Sequence, residues 1–202
     1  MDKCIYGTPL SQIEDLSPER SVLLIIDMQK AFVEPGAALC IDGAKATVPA
    51  CSKALSDARE LGIRIIWIKR EYKADYSDME LHRRAYLEQH KMTDVLAPNS
   101  TGINCVEEPD GLIRLNGETV IIKPRWSAFF GTDLDKLLKS WGIKNVILAG
   151  TTTPNCIRTT CYDSIAYNYK TFVLAKCTSS NTDKIQISNL EDMRRAGAEI
   201  IE

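Results

Sequence analysis

The chain has 202 residues, of which 45% are apolar and 26% are charged, and its formal net charge is −2. This length and composition suit one globular domain with a full core. The near-neutral charge gives no basic footprint for nucleic acid or an anionic membrane, and no apolar run approaches the roughly 20 residues that span a bilayer. Seven cysteines, together with an N-terminus that lacks the apolar stretch of a signal peptide, predict reduced thiols in a cytoplasmic protein.

The chain begins with a polar segment and continues as alternating strands and helices. Residues 1–20 contain Pro9 and Pro18 and predict an N-terminal arm or lead-in, which we consider as a segment that packs on a partner subunit. From residue 21 to 202, short apolar runs alternate with runs of helical spacing. That alternation predicts a single α/β domain with a parallel sheet covered by helices on both faces.

The individual elements follow from these periodicities. The predicted strands are residues 21–26, 63–68, 118–122, 145–149, 171–175 and 199–201. The predicted helices begin near residues 44, 78, 134, 157 and 185. The dipeptide Asn116-Gly117, between the apolar runs 112–115 and 118–122, indicates a hairpin or a tight turn.

Three chemically reactive side chains follow predicted strands at their carboxyl ends. Asp27 follows the first strand, Lys123 follows the third, and Cys156 lies where the fourth strand turns into a helix. Ligands of open α/β sheets bind at this edge, and neighbouring strands would bring the three groups together. A lysine lowers the pKa of a thiol, and a carboxylate can take the thiol proton and deliver it to a leaving amine. The alternative is three unrelated strand-end residues.

Cys156 itself has two readings. At the first turn of a helix, free backbone N–H groups and the helix dipole favour a thiolate and can hold an oxyanion, which indicates a nucleophile. The alternative is a buried packing cysteine, because free cysteines are among the most buried residues. We expect Cys161 and Cys177 to be packing residues.

Other site chemistries find less support in the sequence. The two histidines occur as Glu80-Leu-His82 and Glu88-Gln-His90 in a predicted helix. Residues two apart on a helix point about 200° away from each other, so neither Glu-His pair can chelate one ion. The chain has neither of the glycine-rich motifs that bind dinucleotides or nucleoside triphosphates. We therefore predict no metal and no cofactor.

Three motifs together carry a resemblance to a known family. They are Ile25-Ile-Asp27-Met-Gln29-Lys-Ala-Phe32, Ile122-Lys123-Pro-Arg-Trp-Ser127-Ala-Phe129-Phe130, and Gly150-Thr-Thr-Thr153-Pro-Asn-Cys156-Ile-Arg-Thr-Thr-Cys-Tyr-Asp163. In this order and spacing the chain resembles the isochorismatase-like cysteine hydrolase superfamily from about residue 21 to its end. The resemblance implies a three-layer α/β/α fold with a six-stranded, Rossmann-like parallel sheet. It also implies homodimers or homotetramers.

The resemblance further implies the roles of particular residues. Asp27, Lys123 and Cys156 correspond to the catalytic triad of the family. A cis peptide bond is expected between Thr152 and Thr153, and it would turn the N–H groups of Thr153 and Cys156 towards one oxyanion. The expected substrate is a small amide, with water as the second reactant.

The family contains several activities, and the sequence favours some of them. Isochorismatases resemble this fold but lack the cysteine, so Cys156 favours C–N bond cleavage. Nicotinamidases carry an Asp-x-His metal motif after the second strand, where this chain has Lys69-Arg-Glu-Tyr-Lys. The stretch from Lys123 to Phe130 is similar to ureidoacrylate amidohydrolases, and Cys156-Ile-Arg158-Thr is similar to N-carbamoylsarcosine amidases.

We therefore predict a metal-independent thiol amidohydrolase that acts on a small amide, ureido or carbamoyl compound. Candidate substrate-binding residues are Phe32, Trp126, Phe130, Asn155 and Arg158. Each aromatic residue has core packing as its alternative, and Arg158 has a surface charge on the helix as its alternative to a substrate carboxylate. Three functional alternatives stay open, namely a metal-dependent nicotinamidase, an isochorismatase-type hydrolase and a non-catalytic binding member of the family.

Overall fold

A computed structural model describes the backbone of residues 4–5 and 8–9 and the whole of residues 17–202. The predicted N-terminal arm therefore lies mostly outside the described residues. Its two short strands, β1 (Cys4–Ile5) and β2 (Thr8–Pro9), pair antiparallel. The main sheet is formed by β3 (Ser21–Ile26), β4 (Arg64–Arg70), β5 (Thr119–Lys123), β6 (Asn145–Thr151), β7 (Lys170–Ser179) and β8 (Glu199–Ile201).

The main sheet is six-stranded and parallel throughout, in the order β5-β4-β3-β6-β7-β8. The chain starts at the centre with β3, builds outwards to β5, and returns to place β6 on the other side of β3. This reversal creates a switch point between the carboxyl ends of β3 and β6, where open α/β sheets bind their ligands. The predicted six-stranded parallel sheet is confirmed.

Helices cover both faces of the sheet. They are α1 (Lys30–Val33), α2 (Ala44–Leu61), α3 (Leu81–Gln89), α4 (Leu134–Ser140), α5 (Arg158–Ala166) and α6 (Asp183–Arg195). Short 3₁₀ segments occupy Pro18–Arg20 and Gly102–Asn104, and a π-helical turn occupies Thr153–Ile157. Every helix that the periodicities predicted is present, with ends that differ by a few residues.

Two apolar cores lie on opposite faces of the sheet because successive strand residues point in opposite directions. Leu23 and Ile25 of β3 pack in the core that includes α2. Leu24 and Ile26 pack in the core that includes residues of α4, α5 and α6. The central strand is thus buried on both sides, which explains its uninterrupted apolar sequence.

The apolar run 112–115 does not form a strand, so of the two structures considered at Asn116-Gly117 the tight turn is right and the hairpin is wrong. The N–H of Glu118 donates to the carbonyl of Leu115 at 3.2 Å and closes the turn. The carbonyl of Ile113 accepts instead from the guanidinium of Arg59 at 2.7 Å. Since that carbonyl is bound by a helix side chain, it pairs with no strand, and β5 pairs with β4 alone.

Candidate active site

The carboxylate of Asp27 is presented by a left-handed turn at the end of β3. The backbone φ angle of Asp27 is 51°, a left-handed conformation that residues other than glycine seldom adopt. Its N–H donates to the carbonyl of Ile68 on the neighbouring strand at 2.9 Å. The residue is 1% exposed, so the turn directs a buried carboxylate at the sheet edge. Such strained conformations cluster at functional sites.

Lys123 ends β5, and its ammonium group meets Asp27 across the end of β4. The distance from Lys123 Nζ to Asp27 Oδ2 is 2.7 Å, and neither side chain is exposed by more than 1%. The ammonium also donates to the carbonyl of Arg125 at 3.1 Å. Burial, followed by the positive charge of Arg70, lowers the pKa of Lys123 below its ordinary value, although Asp27 opposes the shift. The structure therefore brings together two of the three predicted groups as a buried ion pair.

Cys156 lies in the π-helical turn that leads into α5. The carbonyl of Thr152 accepts from the N–H groups of Asn155 and Ile157, at 3.1 and 3.2 Å, and so closes this turn. Cys156 is 4% exposed. Burial, followed by the negative charge of Asp27, raises the pKa of its thiol, while Lys123 and Arg70 act in the opposite direction.

The balance at Cys156 corrects one expectation from the sequence. Lys123 was expected to lower the pKa of the thiol, and it does so, but burial and Asp27 outweigh it. The net result is a raised pKa of the Cys156 thiol, because desolvation penalises a thiolate and a neighbouring carboxylate adds repulsion. A proton acceptor is needed before this sulfur can act as a nucleophile.

The non-proline cis peptide lies between Thr151 and Thr152. The expected position, between Thr152 and Thr153, is wrong by one bond, because β6 continues to Thr151 and the π-helical turn begins directly at Thr153. The hydroxyl oxygens of Thr152 and Thr153 lie 3.1 and 2.9 Å from the carbonyl oxygen of Ser179 at the end of β7. These contacts fix the segment that precedes Cys156 against the neighbouring strand.

Arg70 lies at the candidate site and was not predicted from the sequence. It ends β4, the strand between β3 and β5, and it pairs in register with Lys123. Its side chain is completely buried, and its Nη2 lies 3.6 Å from Cys156 Sγ. Burial alone would lower the pKa of Arg70, but Cys156 and Asp27 act against it and the pKa stays above its ordinary value. The guanidinium is therefore a fixed positive charge beside the sulfur.

A signal for Arg70 was present in the sequence. The predicted strand ended at Ile68, whereas β4 extends to Arg70. The rule that selected Asp27 and Lys123, a charged residue at the carboxyl end of a strand, selects Arg70 once the strand is two residues longer.

Gln29 is a second residue at this edge that was not predicted from the sequence. Its side-chain amide donates to the carbonyl of Arg70 at 2.8 Å and accepts from its N–H at 2.7 Å, which joins the ends of β3 and β4.

The predicted aromatic residues occupy different surroundings. Trp126 and Phe130 line a cavity of about 290 Å³ together with residues of α5. Phe130 is 61% exposed, and the buried Nε1 of Trp126 has no hydrogen-bond partner among the described residues. Phe32 is buried in a separate apolar cluster with Tyr72 and neighbouring residues. Trp126 and Phe130 are thus open to a ligand, and the structure places Phe32 in packing.

Arg158 and Asn155 lie on the helix of Cys156 and differ in their contacts. The guanidinium of Arg158 donates to Tyr162 and forms an ion pair with Asp192 at 2.5 Å. The structure thus gives Arg158 an intramolecular carboxylate, which agrees with the surface-charge alternative. The backbone carbonyl of Asn155 accepts from the hydroxyl of Thr159 at 2.7 Å, and its side chain is half-buried.

The chemistry at the end of β4 is unsuited to a metal ion. Among residues 17–202 no cluster of three or more histidine, cysteine, aspartate or glutamate side chains is arranged as a metal site. His82 packs edge-on against Trp126, with ring centroids 5.8 Å apart. The buried guanidinium of Arg70 at the end of β4 would repel a divalent cation. The described residues at this strand end therefore do not fit a metal ion.

Within the described part of the chain, no helix has both the length and the apolar character that a membrane crossing requires. The fold and the site together define an α/β protein with a thiol, a carboxylate and an ammonium group at one edge of its parallel sheet. The isochorismatase domain model matches residues 21–202. The chain belongs to the isochorismatase family, and it is an isochorismatase-family hydrolase.

Three similar proteins show how the chain relates to that family. A protein of Arabidopsis thaliana named a probable inactive nicotinamidase is 37% identical over 179 residues, which cover 88% of this chain and 89% of the relative. The ureidoacrylate amidohydrolase of Cronobacter sakazakii is 29% identical over 178 residues, 80% of this chain and 75% of the relative. A crystal structure of an isochorismatase family protein from Desulfovibrio vulgaris has a TM-score of 0.83 and 38% identity, covering 90% of this chain and 93% of that one.

Proposed function

We propose that the chain is a cysteine amidohydrolase that cleaves the C–N bond of a small amide, ureido or N-carbamoyl compound through a thioester. The observation that carries the proposal is the buried Asp27–Lys123 pair, 2.7 Å between charged atoms, whose charges act on the thiol of Cys156. A buried ion pair is weak evidence for stability, so a functional reason for keeping it is favoured. Cys156, Asp27 and Lys123 are the proposed catalytic residues.

The first step uses the free oxygen of Asp27. Oδ2 of Asp27 is bound by Lys123, whereas Oδ1 is buried and has no hydrogen-bond partner among the described residues. In the proposed step Asp27 accepts the thiol proton while Sγ of Cys156 attacks the substrate carbonyl carbon. The S–C bond forms, and the carbonyl electron pair moves to oxygen. Backbone N–H groups at the start of the helical segment, those of Thr153 and Cys156, are the proposed oxyanion donors.

The second step breaks the C–N bond and regenerates the thiol. The leaving nitrogen takes the proton from Asp27 and departs as ammonia or an amine, which leaves an acyl group on Cys156. Water then attacks the thioester and gives one proton to Asp27. The S–C bond breaks, the acid product leaves, and the proton returns to sulfur. Throughout this cycle Lys123 holds the carboxylate in place and offsets its charge.

Relatives support an amide or ureido substrate without selecting one. One relative is named a ureidoacrylate amidohydrolase, and another is named a probable inactive nicotinamidase. The described residues contain no cluster of three or more potential metal-binding side chains, which disfavours the metal-dependent nicotinamidase alternative. Homo-oligomeric assembly, expected from the family resemblance, stays a prediction.

A second candidate is a non-catalytic binding member of the family. It is favoured by one observation, since the 37% identical plant relative is named inactive. The two candidates differ in one measurable property, the reactivity of Cys156. A bystander thiol should alkylate slowly, as buried packing cysteines do, whereas a catalytic thiol should react selectively.

The experiment is ammonia release from a panel of small amides, ureido acids and N-carbamoyl amino acids. Cys156→Ala protein is the test variant, and Cys161→Ala is the matched control on the same helix. We expect release by the wild-type and control proteins and a loss of at least about 10³-fold in Cys156→Ala. Silence across the panel, with Cys156 no more reactive towards iodoacetamide than Cys161, would favour the binding member.

A further inference from the structure

The guanidinium of Arg70 is held by one of its edges only. Its Nη1 donates to the hydroxyl of Tyr72 at 2.7 Å and to Oε1 of Glu80 at 2.8 Å. Tyr72 in turn donates to the second oxygen of Glu80 at 3.0 Å. These contacts fix the orientation of the planar group. The guanidinium is therefore preorganised at the end of β4 before any substrate arrives.

The opposite edge of the guanidinium is free. This edge carries Nε and Nη2, whose N–H groups are parallel and match the two oxygens of a carboxylate. Nη2 contacts only the sulfur of Cys156, at 3.6 Å, and Nε is buried with no hydrogen-bond partner among the described residues. A buried N–H group without a partner is unfavourable, so an acceptor supplied by a ligand would stabilise this edge.

The charges around the site leave an excess of positive charge. Arg70 and Lys123 are balanced by Glu80 and Asp27. Arg83 adds a further cation whose charge acts on Tyr72 and Glu80. Its Nη1 is also buried without a partner among the described residues. These five side chains together carry one unbalanced positive charge, which favours an anionic ligand at this buried strand edge.

We propose that the free edge of Arg70 binds a carboxylate of the substrate beside the sulfur of Cys156. The inference rests on the proposed function, because the carbonyl that Cys156 attacks belongs to the same substrate. A carbonyl carbon in position for attack lies about 3–3.5 Å from sulfur, and a carboxylate oxygen lies about 3 Å from Nη2. Both conditions are met when only a few bonds separate the two groups. The substrate class is therefore short carboxylate-bearing amides, such as monoamides of small dicarboxylic acids and N-carbamoyl α-amino acids.

Two alkylating reagents test the inference without knowledge of the substrate. Iodoacetate carries a carboxylate next to its reactive carbon, and iodoacetamide is its neutral analogue of nearly equal size. The rate of alkylation at Cys156 is measured with each reagent by mass spectrometry, and the ratio of the two rates is compared with that of the half-buried Cys40 in the same protein. We expect the iodoacetate rate divided by the iodoacetamide rate to be at least about tenfold higher at Cys156 than at Cys40.

Variants then assign the preference to the guanidinium. Arg70→Lys keeps the charge and loses the planar edge, and its ratio should fall several-fold. Arg70→Gln should bring the ratio down to that of Cys40. Arg158→Lys is the matched control, because that guanidinium is bound to Asp192, and it should leave the ratio unchanged. If Arg70→Gln does not fold, the inference is still tested by the rate ratio of the wild type and by its fall in Arg70→Lys.

The outcomes separate this inference from the proposed function. A wild-type ratio at Cys156 no different from that at Cys40, or a preference that survives in Arg70→Gln, overturns the role of Arg70 and leaves the thiol mechanism standing. A Cys156 that reacts with both reagents no faster than Cys161 overturns the proposed function, and the inference falls with it.

Discussion

The ammonium nitrogen of Lys123 lies 2.7 Å from Oδ2 of Asp27, although the two residues are separated by 96 positions in the chain. The contact spans the end of β4, since Asp27 follows β3 and Lys123 ends β5. One carboxylate oxygen is thereby bound, and the other has no hydrogen-bond partner among residues 17–202. In the proposed mechanism, this second oxygen is the one that exchanges a proton.

Removal of the ammonium should destabilise the fold. In Lys123→Met the carboxylate of Asp27 is left buried without its ion-pair partner, and breaking such a pair costs about 3–5 kcal/mol. We expect the free energy of unfolding in urea at pH 7 to fall by about 3 kcal/mol. The double variant Asp27→Asn/Lys123→Met is the control, and it should recover most of the loss because no buried charge remains. Equal losses in the single and double variants would contradict this assignment.

The sequence indicated the candidate site because strand ends can be predicted from a single chain. The apolar run 21–26 coincides with β3, so the position of Asp27 at the sheet edge followed directly. The order of the strands did not follow, because periodicity carries no information about which strands are neighbours. The structure supplies that order, and with it the insertion of β4 between Asp27 and Lys123.

Arg70 was missed for a related reason. The strand that precedes it continues through Lys69 and Arg70, and charged residues in a buried strand contradict the apolar pattern used to find its end. Contacts to Tyr72, Glu80 and Gln29 compensate this burial. Tyr72 is two residues away, but Glu80 and Gln29 are 10 and 41 residues away, so the local pattern does not indicate the contacts that they make. Similarly, the balance of charges that raises the pKa of Cys156 depends on burial that the sequence does not specify.

The pH dependence of Cys156 alkylation should respond to Asp27 in a defined direction. The negative charge of Asp27 raises the pKa of the thiol, so its removal in Asp27→Asn should lower that pKa. The rate of reaction with iodoacetamide should rise with a midpoint above 9.0, the ordinary thiol value, in the wild type, and at a lower pH in Asp27→Asn. Amide hydrolysis should fall at least about 10²-fold in the same variant, because the proton acceptor is lost.

Two controls make the sign of this effect decisive. Lys123 lowers the pKa of Cys156, so Lys123→Met should move the alkylation midpoint to higher pH, opposite to Asp27→Asn. Burial alone raises the pKa of Cys161, to about 12, and its reactivity should be unaffected by either change. Shifts of Cys156 in the same direction in both variants would mean that the neighbouring charges do not control the thiol.

Glu80 should stabilise the protein in a pH-dependent manner through Arg70. Burial by itself would raise the pKa of Glu80, but the charge of Arg70 prevails and the pKa lies below its ordinary value of 4.5. A carboxyl group with a lowered pKa stabilises the folded state above its ordinary pKa, and this stabilisation is lost as the pH falls through the folded-state value. Glu80→Gln should therefore lower the free energy of unfolding by about 1–3 kcal/mol at pH 7.

Two measurements test whether the Glu80–Arg70 ion pair causes this stabilisation: its dependence on pH, and the iodoacetate preference at Cys156. The difference between wild type and Glu80→Gln should shrink as the pH falls from 4.5 through the lowered folded-state pKa of Glu80, because the side chain then becomes uncharged in both chains. Because Glu80 orients Arg70, the iodoacetate preference at Cys156 should also weaken in the variant. The exposed Glu88, which pairs with Arg84 at the surface, provides the control, and Glu88→Gln should change stability by less than about 0.5 kcal/mol. A difference for Glu80→Gln that is independent of pH would exclude the ion pair as its cause.

Gly150 should be irreplaceable for the geometry that brings β6 against β3. Its φ is 121°, and a Cβ added there would lie 2.0 Å from the carbonyl oxygen of Ile26. The backbone would have to move apart next to Asp27, so we expect Gly150→Ala to cost more than about 3 kcal/mol in unfolding free energy and to abolish hydrolysis. Gly142, with φ of 69° and no atom within 4 Å of an added Cβ, is the matched control, and Gly142→Ala should cost only about 1 kcal/mol by urea denaturation. Equal costs at the two positions would show that the left-handed backbone conformation, and not the contact between the strands, accounts for the glycine.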